Sequence, residues 1–517
     1  MAKTAAARYS QLERLRYPYL SRGRAAAKLT IPTLLPPEGH TGDASLPTPF
    51  QGIGARGVNN LASKLLLALF PPNAPMFRLL IDDFTLEELT QKEGMRGMVE
   101  EALGKIERAV MAQIEGSAIR VTAFEALKQL IIAGNVLLYL PPGGGMRAFR
   151  LDRYVVKRDP MGNVLEIIVK ETVAPDTLTA DFISKLSGRS LERFNNARSA
   201  DKTLDLYTHI KLRGNKWEIY QEVEGVKVPG TEGSYPKDKS AWIPLRFTKI
   251  DGEDYGRGYV EEYYGDLNSL EVLTKAIVQG SAAAAKILIL VNPNGTTNKR
   301  SVVAAKNGDV LSGNAQDVTF LQLDKYADFR IAKETMVEIS QRLSMAFLLN
   351  SAIQRGGERV TAEEIRFMAG ELEDALGGVY SILSQEFQLP LVSRIMFQLE
   401  RDRKLPVLPP KIVRPAITTG LEALGRGHDL AKLDALLQRL SPLGPEAIAE
   451  YLNVGDYITR VTTASGMDAK GLVRSEEEVA AIRQQKQVTA MGQQFTPEMA
   501  GAMRDVVNNA TKPTKQG

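Results

Sequence analysis

Residues 348–395 read "LLNSAIQRGGERVTAEEIRFMAGELEDALGGVYSILSQEFQLPLVSRI", and this stretch decides the fold. A helical apolar pattern reaches "LLN" and is interrupted at Gly356 and Gly357. Thr361 with Glu364 then makes a capping box that restarts the helix, amphipathic over about 30 residues up to Pro390. A loop carrying Arg355, Glu358 and Arg359 therefore joins two long helices.

Upstream of that loop, Ala332, Met336, Ile339, Leu343 and Ala346 repeat at helical spacing, and Val260, Tyr263, Leu267, Leu270, Leu273 and Ile277 make a second such stripe. The helix with the Val260 stripe, of roughly 30 residues, and that with the Ala332 stripe, of roughly 20, are about 45 and 30 Å long. Between them lies "LILVNPNGTTNKRSVVAAKNGDVLSGNAQDVTFLQL", rich in turn signals, which predicts a small module of short strands. Away from the stripes the first helix carries Glu261, Glu262, Asp266 and Glu271, and the second Lys333, Glu334, Glu338 and Arg342. Faces of this kind are ordinarily just solvated.

Further out, the N-terminal part alternates helix with connector. Tyr9 to about Lys28 is helical and basic, and "IPTLLPPEGHTGDASLPTPF" holds five prolines. "MFRLLIDD" is strand-like, Thr85 and Glu88 offer a capping box to a long amphipathic helix, and "TAFEALKQLIIAGNVLLYLPP" is a helix that breaks near Gly134 into a strand. Residues 146–250 read as an antiparallel β region with hairpins at "DPMGN" and "RGN" and a helical insertion at 176–199. The fold class is α+β, mainly helical.

The composition narrows the chemistry. There are no cysteines among 517 residues, which removes disulfides, thiol nucleophiles and cysteine-ligated metals. His40, His209 and His428 are scattered without a second ligand at metal spacing, so no metal site is expected. A net charge of +4 from 65 basic and 61 acidic residues is too balanced for a protein that coats nucleic acid. No run reaches the length of a membrane span, and the charged N-terminus lacks a secretory core, which reads as a cytoplasmic product.

One motif argues for an enzyme. "GIGARG" at 52–57 matches the dinucleotide-binding pattern through Gly52, Gly54 and Gly57, with a helix predicted over Val58–Phe70 and Asp82 near the place of a ribose-binding acid. The preceding "GDASLPTPFQ" defeats it, because Pro47 and Pro49 remove donors that a central strand needs. The alternative to a nucleotide- or dinucleotide-binding enzyme is that these glycines shape a turn and allow close packing of a helix start. A nuclease reading of Glu371, Glu373 and Asp374 has only an acidic helix face behind it.

The segments "GARGVNNLASKLLLALFP", "FEALKQLIIAGNVLLYLP", "YTHI", "DGEDYGRGYVEEYYGDLNSLE" and "NSAIQRGGERVTAEEIRFMAGELEDALGGVYSILSQEFQLPLV", in this order, resemble the portal, or head-to-tail connector, proteins of short-tailed bacteriophages. The likeness runs from about Tyr9 to about Leu430 and is looser beyond. It implies a non-enzymatic ring, usually of twelve subunits, at one capsid vertex. Double-stranded DNA enters through the ring during packaging and leaves through it during ejection. It further implies a wing (1–255), a first stem helix (256–286), a clip (287–328), a second stem helix (329–350), a tunnel loop (351–360), a long wing helix (361–405) and a helical crown (406–490). The polar tail 491–517 is expected to be largely disordered.

On the same resemblance Arg355, Gly356, Gly357, Glu358 and Arg359 face the channel, and Lys333, Glu334, Glu338 and Arg342 lie near its bore. A mixed lining suits DNA that must slide, since each phosphate neutralised adds affinity. The implied partners are the terminase motor, scaffolding protein, major capsid protein, tail adaptor and internal core proteins, with no cofactor. The implied place is the virion's portal vertex, after synthesis in the host bacterial cytoplasm.

Overall fold

The computed structural model describes residues 4–71, 76–81, 95–284, 288–321, 326–349, 378–406, 413–417, 434–444 and 454–464, with a few isolated positions besides. The chain divides into two units, Met1–Ile81 with Ile106–Ala423, and Asp82–Lys105 with Leu424–Gly517. Expectations at Asp82, at Thr85 and Glu88, at the loop 351–360, at Glu371, Glu373 and Asp374, at His428 and over the tail 491–517 fall outside the described residues.

Helix α1 (Ala5–Lys28) begins earlier than its pattern suggested, with the Thr4 hydroxyl accepting from the Ala7 N–H. A distant residue completes that start. The Glu222 carboxylate accepts from the Ala5 and Ala6 N–H groups at 2.9 and 3.3 Å, which satisfies two of the orphan donors at a helix N-terminus. α2 (Ile53–Leu69), β1 (Phe77–Ile81), α3 (Met95–Gly116) and α4 (Ile119–Ala133) follow. The predicted break at Gly134 is present as a left-handed residue, φ 71°, from which the chain enters β2 (Asn135–Tyr139).

The β region is antiparallel throughout. β3 (Arg147–Phe149) pairs with β2, and β4 (Tyr154–Arg158) and β5 (Val164–Val173) form the "DPMGN" hairpin. The helical insertion appears as α5 (Ala180–Ile183) and α6 (Arg189–Ser199), closing over Phe182, Phe194, Leu204 and Val223. β6 (Leu204–Arg213) and β7 (Lys216–Val223) make the "RGN" hairpin, continued by β8 (Val226–Lys227) and β9 (Gly233–Pro236). These six strands run β4-β5-β6-β7-β8 with β9 also on β7, and α1 packs on them through Tyr9 and Leu12 against Val155 and Ile168. β10 (Trp242–Arg246) adds to β2, giving a three-stranded sheet β10-β2-β3.

Three helical expectations change. The first striped helix is not continuous: α7 (Tyr259–Glu262) stops at Tyr263 and α8 (Tyr264–Ala284) resumes, leaving 21 residues, about 31 Å, in the long part. After β11 (Leu288–Val291), α9 (Lys299–Ala304) and β12 (Val318–Leu321), the second striped helix α10 (Tyr326–Ala346) starts three residues ahead of 329 and is equally long. β11 and β12 form the expected two-stranded hairpin.

The third change is at Pro390, which does not end its helix. α11 (Val379–Leu383) widens into a π-turn, Ser384–Gln388, and continues as α12 (Leu389–Arg401). Proline lacks an N–H and its ring collides with the carbonyl four residues back; a widened turn just before it accommodates both defects. β13 (Val413–Ile417) returns to pair with β1, and α13 (Val454–Ala464) is one of the described helices of the second unit.

Candidate functional site: a helix pair with one charged face

α8 and α10 run antiparallel, because Asp266 near the start of one meets Arg342 near the end of the other at 2.9 Å. Their stripes face each other. Leu267, Leu270, Ile339 and Leu343 are buried, while Leu273, Ile277, Ala332 and Met336, nearer the β hairpin, are half-buried. At the other end the pair rests on an aromatic cluster in which Phe347 meets Tyr259 edge-on at 5.8 Å and Tyr263 at 6.0 Å. The Tyr259 hydroxyl donates to Ala346 O at 2.8 Å, and burial pushes that phenol's pKa well up, so it stays a donor.

The junction with the sheet is a crossing of two backbones. Asn135 uses its whole amide there: Oδ1 accepts from the Gly256 N–H at 2.8 Å, and Nδ2 donates to Gly256 O at 2.9 Å and Ala133 O at 3.0 Å. A Cβ at Gly258 would stand 2.5 Å from Ile132 O, so only glycine permits the approach. Arg257 beside it binds Glu253 and Glu261, and those carboxylates, Glu253 foremost, raise its pKa.

The two charged faces predicted for the pair turn out unlike. On the first helix Glu261 is engaged by Arg22 and Arg257, Asp266 by Arg342, and Glu271 accepts from the Phe50 and Gln51 N–H groups at 3.0 and 3.1 Å. Three of its four acids are thus spent on internal structure; the fourth, Glu262, has its pKa raised by burial and by Glu261. On α10, Lys333, Glu334, Glu338 and Arg342 are all exposed. Glu334 is 4.0 Å from Arg330, and Lys333 and Glu338 make no ion pair among the described residues. α10 therefore presents a mixed-charge surface. Apolar residues also point outward, with Val272, Val278, Ile331, Val337 and Met345 between 49% and 68% exposed.

Sequence reasoning missed Asn60, Asn135 and Gln388, whose bonds reach 287, 121 and 319 residues away and leave no periodic signal. Of the predicted site, the structure assembles the α10 residues on one helix; Arg355, Gly356, Gly357, Glu358 and Arg359 lie outside the described residues.

The model of a family described as bacteriophage head to tail connecting protein matches residues 2–473. The chain belongs to this connector family. The connector is 46% identical over 477 residues to the portal protein of Escherichia phage T7, covering 91% of this chain and 88% of that one. It is 45% identical over 487 residues to the portal protein of Enterobacteria phage T3 (93% and 90% covered) and 32% identical over 490 residues to that of Enterobacteria phage SP6 (93% and 92%). A solved neck of an empty GTA particle aligns over 81% of the connector at 11% identity and a TM-score of 0.36, too loose a likeness to carry an argument.

The connector is therefore a structural component of the virion at the head–tail junction and not an enzyme; its relatives are portal proteins. The fingerprint at 52–57 agrees. Gly52 is the N-cap of α2 and Gly54 and Gly57 lie inside the helix, which begins five residues before the predicted Val58. No turn is shaped by them, but the close packing is real: a Cβ at Gly54 would come 2.5 Å from Leu29 O, and at Gly57 2.5 Å from Phe347 Cγ. Among the described residues no cluster of metal-binding side chains occurs, and no helix is long and apolar enough to cross a membrane.

Proposed function

We propose that copies of this chain close into a ring, of twelve subunits by family analogy, whose channel passes double-stranded DNA into the head during packaging and out during ejection. The observation that carries this reading is α10. One helix exposes Lys333, Glu334, Glu338 and Arg342 beside the apolar side chains of Ile331, Val337 and Met345, which are about half or more exposed. A second copy packed on those apolar residues would bury them. Balanced charge along the wall keeps the number of phosphate contacts low, which lets DNA slide.

In this reading α7, α8 and α10 are the stem, the β11–β12 hairpin is the clip, residues 351–360 are the tunnel loop, and residues 1–255, with α1 to α6 and β1 to β10, form the wing. Residues 361–405 continue the wing, 406–490 form the crown, and Arg355 and Arg359 place rings of positive charge at the constriction. The partners are terminase, scaffolding protein, major capsid protein, tail adaptor and internal core proteins, met at the portal vertex after synthesis in the bacterial cytoplasm.

The mass of the purified assembly, followed by end-on imaging, tests the reading. A ring with a central hole near 680 kDa, about twelve times 56.7 kDa, is the expected result. A protein that stays monomeric even when co-expressed with scaffolding protein would overturn it.

A further inference from the structure

α2 touches the chain on both sides of residues 350–378. On the near side, the second helix of the pair ends in a left-handed residue, Leu348 with φ 52°. The Leu348 N–H donates to Met345 O at 3.0 Å and the Leu349 N–H to Ser344 O at 2.8 Å, the closing pair of bonds that usually forms around a glycine. A leucine adopts this conformation reluctantly. Asn60 sits against it, its Nδ2 donating both hydrogens, to Phe347 O at 2.9 Å and Leu348 O at 3.0 Å.

One turn earlier on the same face of α2, Gly57 lies flat on the Phe347 ring, so the distance between α2 and the helix end is set by ring contact. On the far side, Leu69 O accepts from Gln388 Nε2 at 2.6 Å, and Phe70 packs edge-on against Phe387 at 5.5 Å. Gln388 and Phe387 belong to the π-turn. A single 17-residue helix thus fixes where the chain leaves the helix pair and where it comes back.

We infer that Asn60 is a positioning residue for the channel-facing segment: it holds Leu348 in its disfavoured conformation and so sets the direction in which the chain departs toward Arg355 and Arg359. The inference rests on the channel role proposed above for residues 351–360. The chemistry required is specific. Two carbonyl oxygens need two N–H donors from one planar group, which an asparagine amide supplies and an aspartate of the same shape does not. A glycine at 348, by contrast, takes φ near 52° without help.

The test uses full-length chains in their assembled particles: Asn60→Ala, Asn60→Asp, Leu348→Gly and the double variant Asn60→Ala/Leu348→Gly. Three quantities are read, namely ring mass, amide hydrogen exchange at Leu349, and the rate at which filled particles lose DNA on warming. Both single Asn60 variants are expected to assemble, to exchange at Leu349 about 10-fold faster for the two lost bonds, and to lose DNA faster. Leu348→Gly should restore both properties in the Asn60→Ala background.

Wild-type exchange and retention in the Asn60 variants, or a defect that Leu348→Gly fails to correct, would overturn the inference. Should the Asn60 variants fail to assemble, assembly regained in the double variant supports it and continued failure overturns it. Should wild-type protein itself make no DNA-holding ring, the channel reading falls, while exchange at Leu349 still decides what Asn60 does.

Discussion

At the scale of single residues, three buried contacts make measurable claims. Glu166 accepts from Arg8 at 2.7 Å and is bonded to His209 Nε2 at 2.8 Å, with Tyr220 on the other ring nitrogen at 2.7 Å. Burial opposes ionisation of this carboxyl, but those hydrogen bonds win and hold its pKa down to about 2 from 4.5. A depressed folded pKa stabilises above the unfolded value and is lost as pH falls through the folded one. The melting temperature of the wild type should therefore decline between about pH 4.5 and 2 more steeply than that of Glu166→Gln. Arg8→Ala should cost about 1–3 kcal/mol in denaturant melts at neutral pH, since it strands part of a buried carboxylate. At Gly57, an added methyl would collide with Phe347, so Gly57→Ala should destabilise by about 1–3 kcal/mol, with the loss reduced in a Phe347→Leu background.

The elements add effects that no residue has alone. The π-turn presents three consecutive side chains to two other elements: Glu386 to Arg246 of β10, and Phe387 and Gln388 to the end of α2, at Phe70 and Leu69. Arg246 is almost fully buried and Arg158 lies near it, its pKa lowered to about 10 by burial and then by Arg246. Removing the carboxylate that neutralises this cluster by Glu386→Gln should cost about 2–4 kcal/mol, read as a shift of the denaturation midpoint at constant slope. For α10, the prediction is functional. Lys333→Glu with Glu338→Lys keeps net charge and should leave packaging near wild type, whereas Glu338→Lys alone should slow it most at low salt, where phosphate contacts are strongest. Packaging rates across a salt series check this.

At the scale of the whole molecule, Val272 and Val337 are exposed in one subunit and covered in the proposed ring. Val272→Asp and Val337→Asp should each leave the subunit folded, with an unchanged circular dichroism spectrum, yet abolish the ring in size-exclusion mass analysis. Much of the subunit was legible in the chain. Periodicity alone marked the apolar seam of α8 and α10, the hairpins at "DPMGN" and "RGN", and the break at Gly134, because each depends on neighbours within a few positions. The same local rules erred at Pro390, where a π-turn absorbs the proline, and at Tyr263, where the predicted long helix breaks.

Family membership, too, followed from ordered segments of sequence, later matched by relatives over most of the chain. What only the tertiary structure decided is which charges are free. Glu271 and Asp266 look like surface acids until folding brings Phe50, Gln51 and Arg342 to them, and Asn60 and Gln388 look like ordinary polar positions until the far ends of other helices arrive. Helical and strand periods report contacts along one element, whereas a hydrogen bond across 287 residues depends on how elements are placed in space, which no local pattern encodes.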